Sequence, residues 1–149
     1  MEARHVFELA VLLAVTLLAG LAMPSNVWAD EITGTDGNDN FLGTKNPNTI
    51  SGLAGNDKID SKDGKNQVNG NRGDDELHGG ESRDIIKGGL GLDKLFGDGS
   101  NDKLYGGTGD DDLKGGDGAD HFNCGKGNDE ILDFNPSQGD TKTKNCEDF

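Results

Sequence analysis

Aspartate recurs at Asp39, Asp57, Asp75, Asp93, Asp111 and Asp129, one every 18 residues, and again at Asp84, Asp102 and Asp120, in each case a few residues after glycine. Glycine loses more backbone freedom on folding than any other residue, and clustered carboxylates repel one another. A fold made from the two needs stabilisation from elsewhere. The chemistry on offer is that of oxygen donors toward a cation.

The charge balance points the same way. The chain of 149 residues opens with Arg4 and His5, an apolar run from Leu9 to Ala22, and Val27 and Ala29 before a cleavage point, which reads as a signal peptide over residues 1–29. An uncut anchor is the competing reading, since residues 6–23 reach the length of a bilayer span if Glu8 is tolerated. Cleavage removes Glu2, Glu8 and Arg4 from 28 acids and 14 bases, leaving 26 against 13 and a net charge of −13. Such a chain repels nucleic acid and anionic membrane, and no span remains after cleavage. It is expected outside the cell or at its surface.

Composition alone would class this chain as disordered, but its order argues otherwise. From Gly34 to Leu132 the sequence divides into eleven nonapeptides without an insertion. The eighth place is apolar in all eleven: Phe41, Ile50, Ile59, Val68, Leu77, Ile86, Leu95, Leu104, Leu113, Phe122 and Ile131. The sixth is Asp in nine, with Asn48 and Asn66 as exceptions. A nine-residue period makes no stripe on a helix; it suits a short strand over the last three places and a Gly-rich and Asx-rich turn over the first six. Two units make an 18-residue coil of strand, turn, strand, turn. Stacked coils ~4.8 Å apart then bury the eighth-place side chains between two thin parallel sheets, about five and a half coils in all. That core is one residue thick on each side, too small to hold so charged a chain alone.

These units resemble the calcium-binding nonapeptide of the RTX, or haemolysin-type, family, G-G-x-G-x-D-x-U-x with U a large apolar residue. Gly106 to Lys114 and Gly115 to Asn123 match at every defined place. The resemblance implies an all-β fold, a right-handed parallel β-roll, with several Ca2+ ions held between stacked turns by aspartate carboxylates and glycine carbonyls. Turns on one edge come from alternate units. The first column, of units one, three, five, seven, nine and eleven, carries Asp39, Asp57, Asp75, Asp93, Asp111 and Asp129 in the sixth place and Gly37, Gly55, Gly73, Gly91, Gly109 and Gly127 in the fourth. The second column has Asn48, Asn66, Asp84, Asp102 and Asp120 in the sixth and only Gly64 and Gly118 as fourth-place glycines. Gly107 and Gly116 are second-place members of the best-matched turns. Calcium takes six to eight oxygens and binds more tightly as carboxylates accumulate. Up to five ions are therefore expected in the first column and fewer, weaker ones in the second, where the Asp102 to Asp120 gap is the most secure.

Residues 30–33 read as a lead-in and 133–149 as a cap, with Glu130 to Phe134 resembling the strand that closes such rolls. The two cysteines, Cys124 and Cys146, read as a disulfide pinning this tail in an exported chain; free thiols or a thiol metal site are the alternatives. His78 and His121 face outward beside the apolar place, and no nucleophile or second histidine is set to work with them, so no enzyme is expected. Asp36 to Asn40 starts like an EF-hand loop, but Phe41 stands where the sharp-turn glycine belongs. The expected function is secreted calcium binding with folding coupled to the ion, in surface or matrix adhesion. The alternative is a carbohydrate-binding or accessory module of a polysaccharide-modifying system. The partner is an unidentified extracellular protein or polysaccharide, and an open stack also allows end-to-end self-association.

Overall fold

The computed structural model describes residues 30–146; the expected leader over 1–29 and the end of the cap, 147–149, lie outside the described residues. Extended backbone forms wherever the apolar eighth place falls. The strands are β1 (Asp30–Thr33), β2 (Asn40–Leu42), β3 (Asn48–Ala54), β4 (Lys58–Asp60), β5 (Gln67–Arg72), β6 (Glu76–Gly80), β7 (Ile85–Leu90), β8 (Lys94–Asp98), β9 (Lys103–Thr108), β10 (Asp112–Lys114), β11 (His121–Lys126), β12 (Glu130–Ile131) and β13 (Thr141–Lys142), and the described residues contain no helix. Every pairing is parallel. Ile50 lies beside Val68, Val68 beside Ile86, Ile86 beside Leu104 and Leu104 beside Phe122, each 18 residues on, which is the coil length read from the repeat. The odd-numbered strands make a seven-stranded sheet and the even-numbered strands a six-stranded one. The result is a parallel β-solenoid.

Between the sheets runs a single file of side chains. Ile50, Ile59, Val68, Leu77, Ile86, Leu95, Leu104, Leu113 and Phe122 are all fully buried, and Ile32, Phe41, Ile131 and Phe134 pack against them at the ends. Each fully buried residue of this size contributes about 1.5–3 kcal/mol, less than the ordering of nine residues per unit costs.

Three details depart from the nonapeptide reading. The longer strands of the seven-stranded sheet run on past the ninth place into the next turn, because Leu53, Asn71, Gly89 and Gly107 continue the ladder, whereas the strands of the other sheet stop sooner. The lead-in is itself a strand, with Ile32 beside Ile50, so the apolar file begins half a coil before Phe41. At the far end the closing strand is Glu130–Ile131 alone and does not reach Phe134. Asp133 turns back to accept from the backbone N–H groups of Gly115 (2.9 Å) and Gly116 (2.8 Å), and the Phe134 ring meets Phe122 edge-on at 6.2 Å. The chain then adds β13 beside β11 across 20 residues instead of 18, with His121 opposite Thr141. A disulfide joins Cys124 to Cys146 and ties this added strand to the last coil.

From the third unit onward, the second place of each turn adopts a left-handed backbone. Glycine meets that need at Gly89 (φ 126°) and Gly107 (φ 122°), but Leu53 holds φ 85° with a bulky side chain left 39% exposed. A non-glycine residue in this region costs roughly 1–2 kcal/mol, and Leu53 loses little burial on truncation. Leu53→Gly is expected to raise stability by about 1 kcal/mol, seen as a thermal midpoint a few degrees higher. An unchanged or lower midpoint would show that the Leu53 side chain outweighs its backbone strain.

Candidate metal centre

The 18-residue coil sets each sixth-place residue directly over its counterpart one turn away. The backbone N–H of Asp57 donates to Asp75 Oδ1 (2.8 Å), that of Asp75 to Asp93 (2.9 Å), that of Asp93 to Asp111 (2.9 Å) and that of Asp111 to Asp129 (2.9 Å). In the second column Asp84 donates to Asp102 and Asp102 to Asp120, both at 2.8 Å. Each carboxylate thus uses one oxygen to brace the coil before it.

The other oxygen is left bare. Oδ2 of Asp57, Asp75, Asp84, Asp93, Asp102, Asp111, Asp120 and Asp129 is buried and accepts no hydrogen bond. These oxygens turn inward, toward the first-place glycine of their own turn and the first-place carbonyl of the next coil. A methyl group added at Gly97 would stand 2.5 Å from both Asp102 Oδ2 and the Gly115 carbonyl oxygen, and one at Gly79 would stand 2.7 Å from Asp84 Oδ2 and 3.0 Å from the Gly97 carbonyl. Two acceptors therefore face one point with no donor between them. An arrangement of buried, unpaired anionic oxygens is costly unless a cation joins it.

Burial, the largest effect, pushes these carboxyl groups up against the pull of the backbone donors, and neighbouring carboxylates add to it: Asp75 and Asp111 to about 6, Asp84 and Asp93 to about 7, Asp102 to about 8, with Asp57 and Asp120 also raised. Among the described residues no group of three or more His, Cys, Asp or Glu side chains converges as a metal cluster. An ion in these turns would draw on stacked carboxylates and, for most of its ligands, on backbone carbonyls. That donor set, all oxygen and largely neutral, fits a hard divalent cation of the calcium type better than a thiophilic or imidazole-seeking metal.

Eight of the nine sixth-place aspartates expected to serve the ion have this bare oxygen. Asp39 does not: its Oδ2 accepts from the Thr35 backbone N–H (2.7 Å) and hydroxyl (3.0 Å). Its turn is the first of the column, and Gly37 there lacks the positive φ of Gly55, Gly73, Gly91, Gly109 and Gly127. Gly116 and Gly118 adopt positive φ as well, at 94° and 139°. Reading the sixth place alone missed a second ladder. Fifth-place side chains accept from the next coil, with Asn38 Oδ1 taking the N–H of Asn56, Asn56 that of Asp74, Asp74 that of Leu92 and Asp110 that of Asn128. The signal was present, since the fifth place of the first column is Asn or Asp in every unit but that of Leu92.

Of the two described histidines, neither bonds to a sixth-place carboxylate: His78 stacks on Phe96 with ring centroids 4.4 Å apart and places Nδ1 3.2 Å from Asp98 Oδ2, and His121 Nδ1 lies 2.9 Å from Thr141 Oγ1.

Comparison with known proteins gives one match. The family model for the RTX calcium-binding nonapeptide repeat (4 copies) matches residues 33–68, 60–95 and 96–131. Among curated proteins and solved structures nothing matches the chain.

The raised carboxyl groups fix the sign of a pH effect. Folding favours their protonated form, so without an ion their contribution to stability is complete below the ordinary carboxylate pKa and is lost as pH rises through the folded values of about 6 to 8. In chelator the residual β signal should fall steadily from pH 5 to pH 8.5, and saturating calcium should remove that fall. A residual signal that rises over this range would contradict the burial of bare carboxylates.

Proposed function

Since the chain belongs to the RTX calcium-binding nonapeptide repeat family, we propose that it is an exported calcium-binding β-roll, a binding module and not an enzyme, whose folding is coupled to the ion. The supporting observation is the set of bare, buried Oδ2 atoms at Asp57, Asp75, Asp93, Asp111 and Asp129 on one edge and Asp84, Asp102 and Asp120 on the other. Ions held between successive turns would engage these oxygens together with the carbonyls of the turn glycines. Metal that binds only the folded state adds its binding free energy to folding. At the low free calcium inside a cell the roll stays loose; outside, calcium closes it. The disulfide between Cys124 and Cys146 supports an oxidising, extracellular setting. Adhesion at a surface or in a matrix is the role that such a switch suits.

Far-ultraviolet circular dichroism of the oxidised protein, titrated from nanomolar to ten millimolar calcium with magnesium as control, is expected to show a cooperative gain of β signal with calcium alone. Full β signal in chelator would mean that the apolar file and the disulfide hold the roll by themselves. Disorder at every calcium concentration would remove the reading altogether.

One observation favours the second reading, a carbohydrate-binding module. The five central strands of the seven-stranded sheet, β3, β5, β7, β9 and β11, contain no Asp or Glu, in a chain with 28 of them. Arg72, Lys87, Lys103 and Lys126 are exposed on these strands and form no ion pair among the described residues. Ile85, Lys87 and Tyr105 line a shallow hollow there. Polygalacturonate should retain the calcium-loaded protein in affinity electrophoresis, neutral dextran should not, and Lys87→Glu with Lys103→Glu should weaken retention at least tenfold. Equal migration in both gels would rule this reading out.

A further inference from the structure

The two sixth-place asparagines are wired differently from the aspartates. Asn66 takes the same position over the next coil, its backbone N–H donating to Asp84 Oδ1 (2.6 Å), but its inward-facing atom is a donor: Nδ2 donates to the carbonyls of Lys62 (3.2 Å) and Gly79 (3.1 Å). Gly79 supplies the first-place carbonyl of the following coil, the same group that faces a bare carboxylate oxygen in the aspartate turns. Asn48 repeats the pattern one coil earlier. Its Nδ2 donates to the carbonyls of Thr44 (3.2 Å), Asn46 (2.7 Å) and Ser61 (3.1 Å) and to Asn66 Oδ1 (3.0 Å), while the Thr44 hydroxyl donates to Asn48 Oδ1 (3.2 Å).

A third side chain joins in. Ser61 replaces the first-place glycine of the Asn66 turn, and its hydroxyl lies within hydrogen-bonding distance of the carbonyls of His78 (2.8 Å) and Gly79 (2.7 Å). Both Ser61 and Asn66 thus aim donors at Gly79, where the aspartate turns present acceptors only. No sixth-place oxygen in these two turns is left buried without a partner, in contrast to the eight in the aspartate turns. An amide that keeps the Asp shape but turns an N–H toward the carbonyls does electrostatically what a cation does elsewhere in the column, and it excludes the cation by occupying the carbonyls that would bind it.

We propose that the turns of Asn48 and Asn66 are closed by side-chain amides in place of a metal ion, so that the amino-terminal half of this edge holds its shape without calcium and takes up none. This rests on calcium being the ion of the aspartate turns. It goes further than weak binding at a neutral oxygen, because here the amide faces inward with its nitrogen. The edge is divided in two: amide-closed turns first, then calcium-dependent turns from Asp84 onward.

The test compares the oxidised full chain with Asn66→Asp, Asn48→Asp and the double variant Ser61→Gly with Asn66→Asp. Native mass spectrometry counts calcium ions per chain, and circular dichroism in chelator reads the β structure held without them. Each variant is expected to bind one more calcium than the wild type, to show less residual β signal in chelator and to regain the wild-type signal in saturating calcium. Variants that fold in calcium with the wild-type ion count would overturn the proposal, as would an unchanged residual signal in chelator. A wild-type chain that binds no calcium would sink the underlying reading and this inference together, so the two failures are distinguishable. Should Asn66→Asp fail to fold even in calcium, the Asn48→Asp count decides by the same criterion.

Discussion

Stacking carboxylates in register is the constraint on which the rest of this structure depends. Because the coil repeats after 18 residues, Asp75 must stand over Asp57 and Asp93 over Asp75, each bracing its predecessor through one oxygen and burying the other. The brace sets the spacing of the turns, and the bare oxygen sets their appetite for a cation. Burial, with the neighbouring carboxylates adding to it, lifts Asp102 to about 8, so near neutral pH the metal-free roll faces a choice between protonating its aspartates and burying their charge. A divalent cation removes that conflict. First-place glycines follow from the same crowding, since a side chain at Gly97 would collide with the Asp102 carboxylate and the carbonyl of the next coil.

The apolar file gives the roll its register more than its stability. Nine fully buried side chains alternate between two sheets, and slipping a strand by one residue would expose its single core residue and in most strands bury a polar or charged neighbour. The ends are closed by different means from the middle. Thr35 satisfies Asp39 at one end. At the other, Asp140 accepts from the N–H groups of Asp120 (2.9 Å) and Asn135 (2.8 Å), so the last carboxylate of the second column has both oxygens used. The first column therefore begins, and the second finishes, in a turn that the chain itself satisfies.

The nonapeptide was legible because its two demands, an apolar residue every ninth position and an Asx six places into each unit, are read directly from residue type. Strand pairing and coil length followed from that, whereas the Cys124 to Cys146 link was read separately, from an isolated cysteine pair in a chain expected to be exported. What escaped lay where residue type underdetermines direction. Asn66 reads as a weakened aspartate until its amide nitrogen is seen to face the Gly79 carbonyl. The role of Ile32 was hidden because the sequence before it has no repeat signature, and the β13 strand because two inserted residues break the period between Asp120 and Asp140. Leu53 and Asp98, at φ 85° and 73°, show a turn geometry imposed on residues that do not favour it, so neighbouring coils override local preference there.

The most direct measurement is anomalous diffraction from crystals of the protein grown in millimolar calcium. The account predicts calcium peaks beside Oδ2 of Asp75, Asp93 and Asp111 in one column and of Asp102 in the other, between successive turns. Peaks found only at surface acids such as Asp74 and Asp110, with the buried oxygens meeting protein or water alone, would contradict it.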